Sequence, residues 1–309
     1  NSIPYVTSYY KKRWGFCMSE NRKKKLPSGK YTAFINSSLK KGVMELMDAK
    51  IKGRNKKEIF FSSYVCHPSM ANNELSGPVL LNALLKYIKE AYPKSKYSYR
   101  FVLLPETIGS ITYISKNLNN LKKNVICGFN LTCVGDERSY SYVPSKDGNT
   151  LADQAIRAAL ISKKKVIKYA FVDRGSDERQ YCSAKVNLPL VAFSRSKNYP
   201  EYHTNKDDFK VVTKKGLQES FEVMKDIIDV FENFLYPKTK FFCEPNMGKR
   251  NLYPTISKKF NYSETKIRMD IIAFSDGKTS LFKISEIINK PLKKVLEEAK
   301  ILKKNNIIS

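Results

Sequence analysis

Strand-like and helix-like hydrophobic patterns follow one another along most of this chain. Between residues 28 and 66, three segments rich in β-branched residues alternate apolar and polar positions, with turn-forming residues between them. This pattern predicts three strands, the last of which ends at a loop that begins with His67. Residues 75–92 then carry apolar side chains three and four positions apart, which is the spacing of a helix that buries one face.

The alternation of strand and helix continues to residue 235. Short apolar runs predict buried strands at residues 98–106, 125–135 and 188–196, and helical spacing occurs at residues 110–118, 150–162 and 217–235. Strands that alternate with helices indicate an α/β fold, here a three-layer sandwich around a mixed, mostly parallel sheet. In such sheets, functional side chains gather at the carboxyl ends of the strands.

After Lys238 the character of the chain changes. Residues 243–255 are rich in Pro, Gly and Asn, and residues 264–309 predict three helices separated by short turns, as in a winged helix or helix-turn-helix. Such a unit can bind DNA or dock against a protein, and we favour docking because the last helix has few of the side chains that read bases. We therefore predict three parts: an α/β domain over residues 1–240, a linker over 241–262 and a winged-helix-like domain over 263–309.

The composition is that of a globular protein, but the charge is high. Lysine and arginine total 56 against 29 acidic residues, which gives a net charge of +27. A nucleic-acid or anionic-glycan partner would explain this excess. The alternative is a general lysine bias, which we favour because the lysines are scattered and the arginines are not clustered with aromatic residues.

Nothing in the sequence predicts membrane insertion or secretion. It has no run of about 18 apolar residues, the length that spans a bilayer, and its start does not resemble a signal peptide. None of the six cysteines forms a CxxC pair and most lie in apolar runs, which predicts buried free thiols and a reducing cytoplasm. The first residue is not Met, so we expect a fragment or a processed form.

The chain has only two histidines, His67 and His203, and each lies in a polar, turn-rich stretch. Either one alone fits an ordinary surface or core role as well as it fits a metal site, but the two together, with carboxylates nearby, predict a metal site. The loop after His67 can bring a side chain six or seven residues later to the same metal, so Asn73 and Glu74 are candidates. Glu74 is the better ligand by charge, since Asn73 offers only a neutral oxygen.

Glu106 closes a buried strand, where a carboxylate is costly unless it binds a metal or carries a proton. We predict that it is a metal ligand or the general base of a metal-dependent reaction. The alternative is an acid that faces the N-terminus of the following helix.

Two further acidic motifs, Asp136–Glu137 and Asp177–Glu178, lie in polar stretches between predicted elements. Each can form a salt-bridged loop, which is the usual state of such charge clusters. Arg174 and Arg179, which flank the second motif, can instead hold a substrate carboxylate.

Several of these segments resemble the co-catalytic zinc aminopeptidase superfamily, which includes glutaminyl cyclases. The resemblance covers about residues 55–235. The matching segments are His67, Ala71–Gly77, Pro105–Glu106, Gly109–Ser110, Ser176–Asp177 and Tyr202–Thr204, the last being the most specific. The whole chain is also similar to bacterial aminopeptidase-like proteins that carry a C-terminal winged helix, often accompany surface-polysaccharide genes and usually have an additional N-terminal part.

The resemblance implies a zinc centre, but this sequence departs from the family at three carboxylates. Asn73 stands at the position of a bridging aspartate, Thr132 replaces another aspartate, and Pro105 replaces one glutamate of a pair. Because a two-metal centre normally needs its bridging carboxylate, we expect one zinc ion per chain. The implied roles are metal ligation by His67, Asn73, Glu106 and His203, catalysis by Glu106 and Glu74, and substrate contacts from Asp136, Arg174, Asp177, Glu178 and Tyr202.

These features favour a metal-dependent hydrolase of amide bonds that acts on a peptide N-terminus or on an acylamido group of a sugar. One alternative is a peptidase-like fold that has lost catalysis and binds a partner linked to polysaccharide biosynthesis. The other is a DNA-binding regulator that uses its C-terminal domain. We predict a cytoplasmic protein, compatible with homo-oligomer formation, with no membrane partner and with nucleic acid as a less favoured partner.

Overall fold

The computed structural model describes residues 1–7, 11–253 and 263–309. Within this part of the chain, seven strands form one sheet in the order β1-β3-β2-β4-β7-β5-β6. The strands are β1 Met47–Ile51, β2 Glu58–Tyr64, β3 Ser98–Leu104, β4 Val125–Leu131, β5 Tyr140–Val143, β6 Val166–Lys168 and β7 Leu190–Ser194.

The centre of the sheet is parallel and its sides are mixed. β3, β2, β4 and β7 run parallel to one another, β1 is antiparallel to β3, and β5 is antiparallel to β7 and parallel to β6. The predicted mixed, mostly parallel sheet is confirmed. The α-helices are α1 Glu20–Lys24, α2 Ser76–Ala91, α3 Ile108–Asn124, α4 Leu151–Leu160, α5 Glu178–Tyr181, α6 Lys214–Asn233, α7 Ser263–Phe274, α8 Leu281–Ile288 and α9 Leu292–Lys304.

Every residue of β2 is buried, because helices cover both faces of the sheet. Ile59 and Phe61 pack with side chains of α2, α4 and α6 on one face. Phe60, which points the opposite way, packs with side chains of α3 and α5 on the other. This three-layer arrangement places the carboxyl ends of the parallel strands at one edge, where the loops after β2, β3 and β4 begin.

The first predicted strand is wrong. Residues 30–46 form no regular element, and Phe34 and Leu39 are each 82% exposed. Their alternating pattern is suitable for a strand, but a strand also needs a neighbour to pair with, and these residues pair with none of the described strands. The second predicted strand is present but shorter than predicted, and it corresponds to β1.

Helices α7–α9 pack against the α/β layers and share their hydrophobic core. The ring of Phe282 in α8 lies 5.4 Å from that of Phe231 in α6, centroid to centroid, and both side chains are fully buried. A short β-bridge also joins Thr239 to Ile308. Part of the predicted linker packs into this core through Met247, and its residues 254–262 lie outside the described part of the chain.

Among the described helices, none is both long enough and apolar enough to cross a membrane.

Candidate metal centre

The two histidines meet at the carboxyl edge of the sheet. His67 lies in the loop after β2 and His203 in the loop between β7 and α6, and their ring centroids are 4.9 Å apart. His203 has a backbone φ of 54°, in the left-handed region that non-glycine residues seldom adopt. The local backbone therefore holds its ring in place at a conformational cost.

Glu74 orients His67. A π-helical turn over Ala71–Leu75 brings the Glu74 carboxylate to His67, with Oε1 2.6 Å from Nδ1, and Oε2 accepts a 2.7 Å hydrogen bond from the backbone N–H of Cys66. Metal-binding histidines commonly donate one ring N–H to such a carboxylate, which leaves the other nitrogen free for the metal. These contacts are suited to positioning the His67 ring, and the predicted catalytic role of Glu74 stays a prediction.

The same neighbours change the proton affinity of both rings. Hydrogen bonds to Cys66 and to Glu74 raise the pKa of His67 to about 10, so a metal that binds this ring competes with protons. Burial, followed by the proximity of His67, lowers the pKa of His203, which favours the neutral imidazole that metals bind.

Cys66 belongs to this cluster, which the sequence analysis did not predict. Cys66, His67 and Glu106 each place a donor atom within 4.8 Å of the other two. All six cysteines are free, as predicted, but Cys66 is exposed rather than buried, as are Cys17 and Cys243. The apolar run before Cys66 indicated burial, but that run ends with the strand and the thiol lies beyond it.

Two acceptor atoms at the centre lack a hydrogen-bond partner within the described residues. Nε2 of His203 is one, and Oδ1 of Asn73, whose side chain is 1% exposed, is the other. The amide group of Asn73 donates instead to the hydroxyl of Tyr64, at 3.1 Å. A buried acceptor without a donor is costly, and a cation can satisfy such an atom. The residues present therefore fit a metal ion.

Glu106 is positioned by a strained turn between β3 and α3. Thr107 has a φ of 66°, and its backbone N–H and the hydroxyl of Ser110 both donate to Oδ1 of Asp177, at 2.8 and 2.7 Å. Burial raises the pKa of Glu106, against the opposing effect of its hydrogen bond with Ser176. A half-buried carboxyl that holds a proton more tightly than usual is suited to proton transfer near neutral pH.

The predicted substrate contacts divide into buried and accessible groups. Asp136, Asp177 and Glu178 are at most 2% exposed. Asp136 accepts hydrogen bonds from the hydroxyl of Ser196 and from backbone N–H groups, and Glu178 accepts from the backbone N–H groups at 175 and 176. These three carboxylates thus accept hydrogen bonds from internal donors and are suited to bracing loops, and their predicted substrate contacts stay predictions.

Arg174 and Tyr202 remain accessible. The guanidinium of Arg174 lies over the ring of Phe171, 4.9 Å from its centroid, and is exposed to solvent. Tyr202 stacks on His203 with ring centroids 3.9 Å apart and an exposed fraction of 41%. Tyr202 therefore forms part of the wall of the centre, whereas Arg174 has no contact with the histidines.

Tyr5 also lies at the centre, and no local signal in the sequence predicted it. Its ring centroid is 5.0 Å from that of His67 and 5.8 Å from that of His203, in edge-on arrangements. The backbone N–H of Tyr5 donates to the carbonyl of His203 at 2.9 Å, and a β-bridge pairs Pro4 with Thr204. The segment before residue 7 thus covers one side of the histidine pair.

Comparison with known families and proteins agrees with this architecture. A family model described as "Domain of unknown function (DUF4910)" matches residues 14–234, and a winged helix-turn-helix model matches residues 235–309. A Clostridium acetobutylicum protein named for polysaccharide biosynthesis and for an aminopeptidase-like domain is 38% identical over 291 residues, which are 92% of this chain and 65% of that protein. This chain thus spans less than two thirds of the length of that relative.

Solved structures share the fold. The crystal structure of a Clostridium acetobutylicum protein named as a candidate peptidase matches with a TM-score of 0.87 and 33% identity, over 100% of this chain and 70% of that one. A zinc aminopeptidase from Bacillus subtilis matches with a TM-score of 0.50 and 18% identity, over 59% and 48% of the two chains. A glutaminyl cyclase from an Acidobacteriales bacterium matches with a TM-score of 0.52 and 17% identity, over 61% of this chain and 74% of that one. The predicted aminopeptidase-like fold and C-terminal winged helix are confirmed.

Proposed function

This chain belongs to the DUF4910 family, and we propose that it is a single-zinc, aminopeptidase-like hydrolase of amide bonds. The observation that carries the proposal is the group of Cys66, His67 and Glu106, whose donor atoms lie within 4.8 Å of one another, with the ring of His203 4.9 Å from that of His67. Zinc binds imidazole nitrogen and carboxylate oxygen, and catalytic zinc sites use three protein ligands and keep one position open.

In this proposal, His67 and His203 hold the ion and Glu106 lies beside it as ligand or proton carrier. When bound, zinc supplies Lewis-acid activation of a water molecule and of the substrate carbonyl. Glu74 keeps the His67 ring oriented through the 2.6 Å contact with Nδ1. Glu106, whose pKa is raised by burial, takes a proton from the attacking water and returns it to the leaving amine.

The substrate class follows from the surroundings of the centre. Tyr5 and Tyr202 flank the histidines with aromatic surface, which suits the end of a peptide or the ring of a sugar. The name of the Clostridium acetobutylicum relative ties that protein to polysaccharide biosynthesis. We therefore propose an amide at a peptide N-terminus or an acylamido group on a sugar as the scissile bond.

The test is metal analysis followed by activity. Protein purified without chelators is expected to contain about one zinc per chain, and removal of that zinc is expected to abolish hydrolysis of aminoacyl anilides or of N-acylated sugars. His203→Ala is expected to lose both metal and activity. Glu222→Gln, which changes an exposed carboxylate on α6, serves as the matched control and should keep both. Absence of any bound transition metal from the purified chain would rule the proposal out.

A second candidate is a binding protein that has lost catalysis. Asn73 carries no charge where the resemblance implies a bridging aspartate, and its amide is engaged by Tyr64. This candidate predicts a protein that binds zinc yet hydrolyses neither substrate class, and it is excluded if Glu106→Gln reduces a measurable hydrolytic rate while the metal stays bound.

A further inference from the structure

If the two histidines and Glu106 were its only ligands, the metal centre would have too few anionic ligands. The resemblance implies aspartates at positions 73 and 132, but Asn73 and Thr132 are neutral. Glu106 is then the one anion among the predicted ligands, and a further anion at the centre would help to balance the charge of the ion.

Cys66 is suited to supply that anion. Its Sγ lies 3.2 Å from Nδ1 of His67 and belongs to the group whose donors fall within 4.8 Å of one another. Its backbone is fixed, because its N–H donates to Oε2 of Glu74 at 2.7 Å. The other exposed thiols, at Cys17 and Cys243, lie outside any such group among the described residues.

The unpaired acceptors give an independent indication that a cation belongs here. Oδ1 of Asn73 is fully buried without a donor, on the turn that follows Cys66, and Nε2 of His203 also lacks a partner. Neither observation depends on the thiol. The ring of His203 lies 4.9 Å from that of His67, the neighbour of Cys66.

We infer that Cys66 is a thiolate ligand of the metal, in the group that it forms with His67 and Glu106. The inference rests on the proposed function and deepens it. On binding, the thiol loses its proton to solvent and its sulfur joins the metal. A ligand set that includes a thiolate and an imidazole suits zinc or cobalt and disfavours magnesium and manganese, which prefer oxygen ligands.

The experiment replaces zinc with cobalt(II), whose thiolate bond gives a charge-transfer absorption band in the near ultraviolet. The metal-free full chain, titrated with cobalt, is expected to develop this band together with the visible bands of the ion. Cys66→Ser is expected to lose the thiolate band and to bind zinc about tenfold more weakly or worse, since even partners outside the first ligand shell are worth about that much. Cys243→Ser, an equally exposed thiol, is the matched control and should keep the band.

The roles of Cys66 and Glu106 separate in the same titration. Glu106→Gln is expected to bind cobalt with the thiolate band intact and to lose hydrolysis. If cobalt binds with visible bands but no thiolate band, the inference about Cys66 is overturned while the proposed function stands. If no cobalt or zinc binds at all, both fail.

A measurement on the unmutated chain covers the case in which Cys66→Ser does not fold. Iodoacetamide labelling, mapped by peptide mass, is expected to modify Cys66 rapidly in the metal-free protein and much more slowly with zinc bound. Cys243 should react at the same rate in both states. Equal labelling of Cys66 with and without bound zinc would also overturn the inference.

Discussion

At the scale of single residues, the contact between Glu74 and His67 decides how well the centre is organised. Replacing the Glu74 carboxylate by an amide weakens its hydrogen bond with Nδ1 of His67. Glu74→Gln is therefore expected to lower zinc affinity by roughly 10- to 100-fold. Competition with a chelator of known affinity measures the change. Glu90→Gln alters an exposed carboxylate on α2 and should leave the affinity unchanged. Equal affinities in both variants would contradict the positioning role.

Asp177 gives a second prediction, on pH and stability. Burial raises its pKa from 3.8 to about 7, so between about pH 4 and pH 7 the folded chain binds a proton that the unfolded chain releases. Asp177 therefore stabilises the fold fully below pH 4, and this contribution is lost as the pH rises to 7. Asp177→Asn, which cannot ionise, should gain stability relative to the unmutated chain across this window, by up to about 1.4 kcal/mol for each unit of pKa difference.

Urea unfolding of the metal-free protein at several pH values measures this difference. Asp147→Asn, at an exposed position, controls for the general effect of removing a carboxylate. A difference between Asp177→Asn and the unmutated chain that stays constant from pH 4 to pH 7 would show that Asp177 titrates normally.

At the scale of elements, the segment that carries Tyr5 covers the histidines from one side. Its pairing with the loop at 203–205 holds the Tyr5 ring edge-on to both imidazoles. Tyr5→Ala is expected to expose them and to increase their rate of modification by diethyl pyrocarbonate several-fold in the metal-free protein. Val6→Ala, next in sequence and 69% exposed, should not change that rate. Equal rates in all three proteins would mean that the segment does not restrict access.

Gly77 fixes how closely α2 approaches the sheet. A Cβ atom at this position would lie 2.1 Å from Oγ of Ser63 and 2.4 Å from the carbonyl oxygen of Leu131. Gly77→Ala must therefore push α2 away from β2 and β4, at a cost of about 1–3 kcal/mol or more. Chemical denaturation measures the loss. Gly42→Ala, where a Cβ atom meets nothing within 4 Å, should have little effect.

At the scale of the whole molecule, the C-terminal helices and the α/β layers share one core. Phe282 on α8 is fully buried against Phe231 on α6, and Arg157 of α4 forms an ion pair with Glu286 of α8. We expect the two parts to unfold together in a single calorimetric transition. Phe282→Ala should shift that whole transition, with a loss of about 3–5 kcal/mol.

The control for this prediction is Ile287→Ala, on the same helix but 45% exposed, which should cost much less. Two separate transitions, with only the smaller one shifted by Phe282→Ala, would show that the winged helix folds independently.

The sequence by itself determined the central strands and the helices that flank them, though not β5 and β6, and it singled out the two histidines that the fold brings together. Positions that a strand or helix buries are apolar and recur with the period of that element. This is why β2, α2 and α6 could be predicted from the local pattern of apolar residues. The same local pattern failed at residues 30–39, because a strand forms only where it pairs with another strand, and local pattern does not specify that partner.

Only the tertiary structure decided what surrounds the histidines. Tyr5 reaches them because its segment pairs with a distant part of the chain. Glu74 contacts the His67 ring, and the thiol of Cys66 is exposed to solvent beside it. Asp136 and Asp177 carry the charge expected of site residues, but packing directs them to internal donors. A charge or a thiol in the sequence indicates what chemistry is available, whereas its neighbours in space, which the chain path sets, decide how that chemistry is used.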